Sequence, residues 1–143
     1  MVAKKTIFPT PQDAEAAFYD ALERADLDAL MAVWAEDEEI VCIQPGGPRM
    51  TGYANVREVW RQVFESAQRF SVTLSQPVVL PGMLVTVHSL CQQISLRGGA
   101  AEQTAPLVAT NVYVRGAHGW RLLVHHASPA PPEAAGEIPK MLH

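Results

Sequence analysis

The sequence predicts an α+β domain in which three N-terminal helices pack on a curved, mainly antiparallel sheet. Three observations carry this. Apolar residues recur at helical spacing between Thr10 and Ala67, only strand-like alternation follows from Phe70, and a Gly/Pro-rich corner, VCIQPGGPRMTG, interrupts the helical region at residues 41–52.

The first helix starts at Thr10-Pro11-Gln12-Asp13, where a hydroxyl N-cap, a proline at the first helical position and an acid in the first turn satisfy or complement the free amides. Ala14, Ala17, Phe18, Ala21, Leu22 and Ala25 mark its apolar face, with Glu15, Asp20, Glu23 and Arg24 mostly away from it. Asp26 caps a second, shorter helix on which Leu27, Leu30, Met31 and Trp34 share a side, and the two helices read as a pair. The acids of AEDEE, residues 35–39, oppose the carbonyl end of a helix and stop it. Ile40–Gln44 reads as a strand. After the corner formed by Gly46, Gly47, Pro48 and Gly52, Val56, Val59, Trp60, Val63, Phe64 and Ala67 give a third helix.

Four strands follow in a meander: residues 70–80, 84–96, 106–114 and 119–128, separated by the turn segments PG, RGGAAE and RGAH. In the third of these, Leu107, Ala109, Asn111 and Tyr113 alternate with Val108, Thr110, Val112 and Val114. Both sets are largely apolar, so both faces are expected to be covered, one by helices and the other by a second subunit. Residues 10–128 form one domain. The Pro- and Ala-rich segment 129–143 has no periodicity and reads as an extension.

Composition excludes several partners. With 143 residues there is one core rather than two, and 48% hydrophobic residues suit a globular chain. A net charge of -4 without a basic run argues against nucleic acid. No apolar run approaches membrane-spanning length and no signal-peptide pattern opens the chain, so a cytoplasmic protein is expected. Cys42 and Cys91 fall inside strands without metal or redox spacing, in keeping with a reducing compartment and buried thiols. No phosphate loop, dinucleotide fingerprint, nucleophile elbow or metal-ligand spacing is present, so no cofactor or metal is expected.

The stretches ADLDALMAVWAEDEEI, PGGPRMTGYANVREVW and TNVYVRGAHGWRLLVHHAS occur in an order that resembles the cone-shaped, cystatin-like fold of nuclear transport factor 2, in its SnoaL-like and ketosteroid-isomerase-like branch. The resemblance implies a conical cavity between the sheet's concave face and the helices, with homodimerisation through the outer face. It brings Cys42 and Gln44 to the pocket wall. In ketosteroid isomerases a carboxylate base precedes the corner proline and a first-helix tyrosine donates to the oxyanion. Here Gln44 and Phe18 stand in those registers, with Tyr19 one residue on and about 100° further around the helix. An amide cannot take up a proton near neutrality, so the isomerase mechanism is not carried over.

Association-domain relatives carry a Trp followed six residues later by His and eight later by Ser, a spacing kept by Trp120, His126 and Ser128. The resemblance therefore points His126 into the pocket as a general acid/base and His125 outward. Those relatives hold an Arg where this chain has Asn111, which favours an uncharged ligand; Tyr113 shares that face. Trp34 and Trp60 are expected to pack and to rim the cavity. Cys42 reads as a buried thiol, Asp37 as part of an acidic turn, and His88 and His118 as isolated. Two functions stay open: a small-molecule pocket protein, enzymatic as an isomerase, dehydratase or hydrolase without a cofactor, and a non-catalytic dimerisation module with a vestigial cavity.

Overall fold

The computed structural model describes residues 6–36, 38–66, 69–97 and 103–131. The expected turn at 98–102, Asp37 and the tail beyond residue 131 lie outside them. The elements are α1 (Pro11–Arg24), α2 (Leu27–Met31), β1 (Val41–Ile43), β2 (Arg49–Thr51), α3 (Tyr53–Glu65), β3 (Arg69–Leu80), β4 (Val85–Arg97), β5 (Gln103–Gly116) and β6 (Gly119–Pro129). They form the predicted α+β architecture, with three helices against one six-stranded sheet of order β2-β1-β6-β5-β4-β3.

Local chemistry accounts for the helix starts. Thr10 Oγ1 accepts from the Asp13 amide at 3.0 Å, and Asp26 Oδ1 accepts from the Ala29 amide at 3.0 Å. Each cap contributes about 1 kcal/mol. The second helix is shorter than its apolar spacing suggests and ends at Met31. Residues 33–35 instead run beside β6, where the Leu122 amide donates to Val33 O at 2.8 Å and the Ala35 amide to Leu122 O at 2.9 Å. Trp34 is thus placed by strand-like pairing with Leu122 rather than by a helix. The corner after β1 folds back as β2, an edge strand that the sequence pattern did not reveal.

β3 through β6 form the antiparallel meander, and β1 joins β6 in parallel. Two one-residue irregularities break the ladders. One lies in β3 between Ser75 and Val78, where Gln76 takes φ 51°; the other lies in β6, where Val112 pairs with Val124 but Tyr113 with Leu122, so Leu123 is the extra residue. Such bulges bend and twist a strand, and here they curve the sheet around α1 and α3. The bulge in β6 also reverses its alternation: Trp120 and Leu122 are buried before it, His125 and Ala127 after it.

The core lies between the helices and the concave sheet face. Phe18, fully buried, stands edge-on to Tyr19, Trp34 and Trp60 at centroid distances of 5.1, 6.1 and 5.8 Å. These are favourable aromatic geometries beyond the burial itself. At the start of β6, the Trp120 amide donates to Phe8 O at 2.9 Å, which brings the chain before α1 onto Gly119.

Candidate functional site

One register row crosses the concave face: Cys42 pairs with His125, His125 with Asn111, and Asn111 with His88. Side chains on directly paired positions share a face, so four strands deliver a thiol, two imidazoles and a carboxamide to one line. Over this line α1 lays Glu15, Phe18 and Tyr19, spaced as neighbours on one helix face.

The polar groups join in two chains. In the first, Asn111 Nδ2 donates to the Tyr19 hydroxyl at 2.9 Å, and Gln92 Nε2 donates to the same oxygen. Asn111 Oδ1 stands 2.6 Å from His125 Nδ1. Because the amide nitrogen is committed to Tyr19, its oxygen must accept, and His125 carries its proton on Nδ1. Burial holds the His125 pKa down at about 4, with neighbouring His126 adding to the effect, so the ring is neutral. Burial chiefly raises the Tyr19 pKa, opposed by the Asn111 hydrogen bond, and the phenol stays protonated. In the second chain, Glu15 Oε2 accepts from the Tyr113 hydroxyl at 3.0 Å and lies 2.7 Å from His88 Nδ1. Burial, then the Glu15 charge, raises the Tyr113 pKa.

A cleft of about 630 Å³ opens between α3 and the β1–β2 corner. Gln44 and Met50 wall one side, Val59, Gln62 and Val63 the other, and Phe70 closes an end. The buried Gln44 Nε2 has no hydrogen-bond partner within the described residues. Glu58, also at the cleft, is tied to Arg61 at 2.7 Å and to Gln62 at 3.0 Å, which holds its carboxyl down at about 2. Trp60, one residue along α3 from Val59, carries the ring that meets His125 at 6.2 Å.

Several expectations are corrected. His126 is exposed on the outer face, paired with Thr110, while His125 is the buried imidazole. The cause is the extra residue at Leu123, which shifts the parity on which the Trp120-to-His126 spacing depended. His88 is not isolated, since it bonds Glu15 and its ring lies 5.0 Å from Tyr113. Glu15 faces the sheet rather than away from it, its side chain 13% exposed. Glu23, also read as facing away, accepts the Val72 amide at 2.8 Å.

The remaining candidates divide. Gln44 lines the cleft. Asn111 and Tyr113 face inward as expected, but their partners are α1 side chains. Cys42 is buried, and burial pushes its thiol up to about 12, the neighbouring Trp60 indole opposing the rise in part. Trp34 and Trp60 both pack edge-on against Phe18. Among the described residues, no three His, Cys, Asp or Glu side chains converge as metal ligands do. Sequence reasoning missed Glu15, Tyr19, His88, Gln92 and His125 as parts of one network. The available signal was the spacing of Glu15, Phe18, Tyr19 and Leu22 along a single stripe of α1.

Comparison with known proteins agrees with this geometry. A family profile described as a SnoaL-like domain matches residues 12–132. A structure from Thiobacillus denitrificans, provisionally described as a calcium/calmodulin-dependent protein kinase type II association domain, is 37% identical, with 87% of this chain and 98% of that one covered at a TM-score of 0.76. A protein from Streptomyces avermitilis, provisionally described as a dehydratase of the NTF2-like family, is 26% identical over 82% of this chain and 91% of that one, also at 0.76. A ketosteroid isomerase-like protein from Erwinia carotovora atroseptica shares the fold at 19% identity and a TM-score of 0.69, with coverage of 85% and 94%. No match is found among curated proteins. The concave row, the helices over it and these likenesses together make the chain a member of the SnoaL-like domain family, within the NTF2-like superfamily.

Proposed function

We propose that the protein binds a small, uncharged or weakly polar organic molecule bearing a carbonyl group and acts on it by proton transfer without a cofactor, as an isomerase, dehydratase or hydrolase. The observation that carries this reading is the state of the Tyr19 hydroxyl. Two amide N–H groups, from Gln92 and Asn111, occupy its lone pairs. The proton it retains is therefore available only to a further acceptor, and donation into the oxygen strengthens it as a donor. A donor prearranged this way, inside a low-dielectric interior, stabilises charge developing on a ligand oxygen. The cleft beside α3 has the volume of a small-molecule pocket and is lined by Gln44 and Met50 rather than by Tyr19 itself, so a ligand seated there would have to extend inward to the hydroxyl. The absence of a fixed positive charge among Tyr19, Asn111 and Gln44 favours a neutral ligand over an anion.

Substituted phenols mimic an enolate oxygen and serve as probes. In thermal-shift titrations they are expected to raise the melting temperature of the wild type, to bind at least tenfold more weakly to Tyr19→Phe, and to bind His126→Gln unchanged. Equal binding to wild type and Tyr19→Phe would refute the reading.

The outer sheet face favours self-association as well. Val85 and Val108 are 45% and 43% exposed, beside half-buried Val112, Val114 and Val124. A second copy laid on this face would cover it, and relatives described as association domains support that arrangement. Light scattering of the wild type is expected to give a dimer mass and Val108→Glu a monomer mass; a monomeric wild type at high concentration would exclude it. No described helix is long and apolar enough to cross a membrane; the free thiols of Cys42 and Cys91 are in keeping with the cytoplasmic location we propose.

A further inference from the structure

We propose that the chain occupies its own cleft: residues 132–143 seat between α3 and the β1–β2 corner, with Ile138, Met141 and Leu142 against the apolar walls and a backbone carbonyl of the segment accepting from Gln44 Nε2. Tyr19 plays no part in this contact.

The cleft calls for such an occupant. Met50, Val59, Val63 and Phe70 line it with half-buried hydrocarbon. Between them Gln44 Nε2 is buried without a hydrogen-bond partner within the described residues. A buried N–H left unpaired is costly, and a carbonyl oxygen is the group that relieves it. Glu58 turns its carboxylate to Arg61 and Gln62, so the rest of the lining is neutral and suits hydrocarbon and backbone.

The strand ends bring the segment to this place. β1 and β6 run parallel with Ile43 opposite His126, so Gln44, one residue on, and Pro129, three residues on, leave the sheet side by side. At about 3.3 Å per residue along a strand and about 4.8 Å between strands, the end of β6 lies on the order of 10 Å from the cleft wall at Gln44. The Ala130 amide, bonded to Pro106 O at 3.0 Å, holds the chain at that end of the sheet. Twelve residues, PEAAGEIPKMLH, follow Pro131. Extended, they reach about 40 Å, and Ile138 can stand about 23 Å from Pro131.

Their composition matches the cleft. Ile138, Met141 and Leu142 are the large apolar side chains of the segment, and Pro139 biases Ile138 toward extended backbone, whose carbonyls are not taken up by a helix. Tethering strengthens the contact. A short linker gives an effective concentration in the millimolar range, so a contact too weak to hold a free peptide keeps the cleft filled. A diffusing ligand then binds only the fraction of molecules whose cleft is vacant, and its apparent affinity falls by that fraction. The segment acts as a built-in competitor.

Photocrosslinking of the full chain with p-benzoylphenylalanine in place of Ile138 tests this. Irradiation is expected to give a product of monomer mass in which position 138 is joined to Met50, Val59 or Val63. Leu142→Asp should lower its yield at least fivefold, which a segment merely sweeping past would not show. Products spread over the surface, a yield unaffected by Leu142→Asp, or links between two copies would overturn the proposal. The neutral ketone dye prodan reads the competition. The double variant Ile138→Asp, Leu142→Asp is expected to bind it at least threefold more tightly than the wild type, and equal affinity would count against the segment as its competitor. Tyr19→Phe should leave the crosslinks unchanged, so the carbonyl-binding reading and this one fail separately.

Discussion

His125 Nδ1 stands 2.6 Å from Asn111 Oδ1 across directly paired positions of β5 and β6, and this contact fixes which end of the amide faces Tyr19. One carboxamide therefore serves an imidazole and a phenol, both buried. Replacing it with alanine leaves His125 without its acceptor and Tyr19 with one donor fewer. Asn111→Ala is expected to destabilise the fold by about 2–4 kcal/mol, measured as a shift of the urea midpoint at unchanged slope.

The neutral state of His125 makes stability depend on pH. Its folded pKa of about 4 lies below the ordinary value of 6.5, so between these values the unfolded chain binds more protons than the folded one. Stability rises with pH across that window. The contribution is fully present above about pH 6.5 and is lost as pH falls toward 4. It amounts to roughly 3 kcal/mol at most. Unfolding free energies of the wild type should therefore drop between pH 7 and 4.5, and His125→Gln should flatten that slope. An equal slope in the variant would count against a buried neutral ring.

Cys42 should resist thiol reagents. Burial and a thiol pKa of about 12 leave almost no thiolate at neutral pH. In the monomeric Val108→Glu variant, Ellman's reagent is expected to modify Cys91, half-buried opposite position 108 on the outer face, well before Cys42. Both thiols should react at once in denaturant. Rapid labelling of Cys42 in the native protein, read by peptide mass spectrometry, would contradict the packing against Trp60.

Gly119 admits no side chain. Its φ is 85°, and a Cβ there would stand 2.4 Å from Phe8 O, the atom that accepts the Trp120 amide. Backbone strain and the collision together should make Gly119→Ala cost roughly 2–3 kcal/mol, with the segment around Phe8 the first to lose amide-exchange protection.

The fold was readable because its signals are local. Thr10 and Asp26 announced helix starts, the apolar stripe from Val56 to Phe64 announced α3, and alternation announced the meander. β2 was hidden because RMT carries no apolar alternation and pairs only with the three residues of β1. The site was less readable because it depends on register. That His88, Asn111, His125 and Cys42 share a row follows from ladders between segments distant in sequence. Glu15 was hidden by its charge, which suggests solvent until a partner such as Tyr113 is known to stand opposite. Counting along β6 failed at Leu123, since nothing in GWRLLVHHAS marks which residue falls out of the ladder.

That surplus residue works as an odd-even selector for everything downstream of it. Were Leu123 to pair with Val112 instead of falling out of the ladder, position 126 would face the helices and position 125 solvent, without a change in either imidazole, whereas deleting Leu123 would leave His125 opposite Asn111. Gain or loss of such a bulge exchanges one interior histidine for its neighbour, so equivalence between SnoaL-like chains is to be traced through strand pairing and not through aligned sequence.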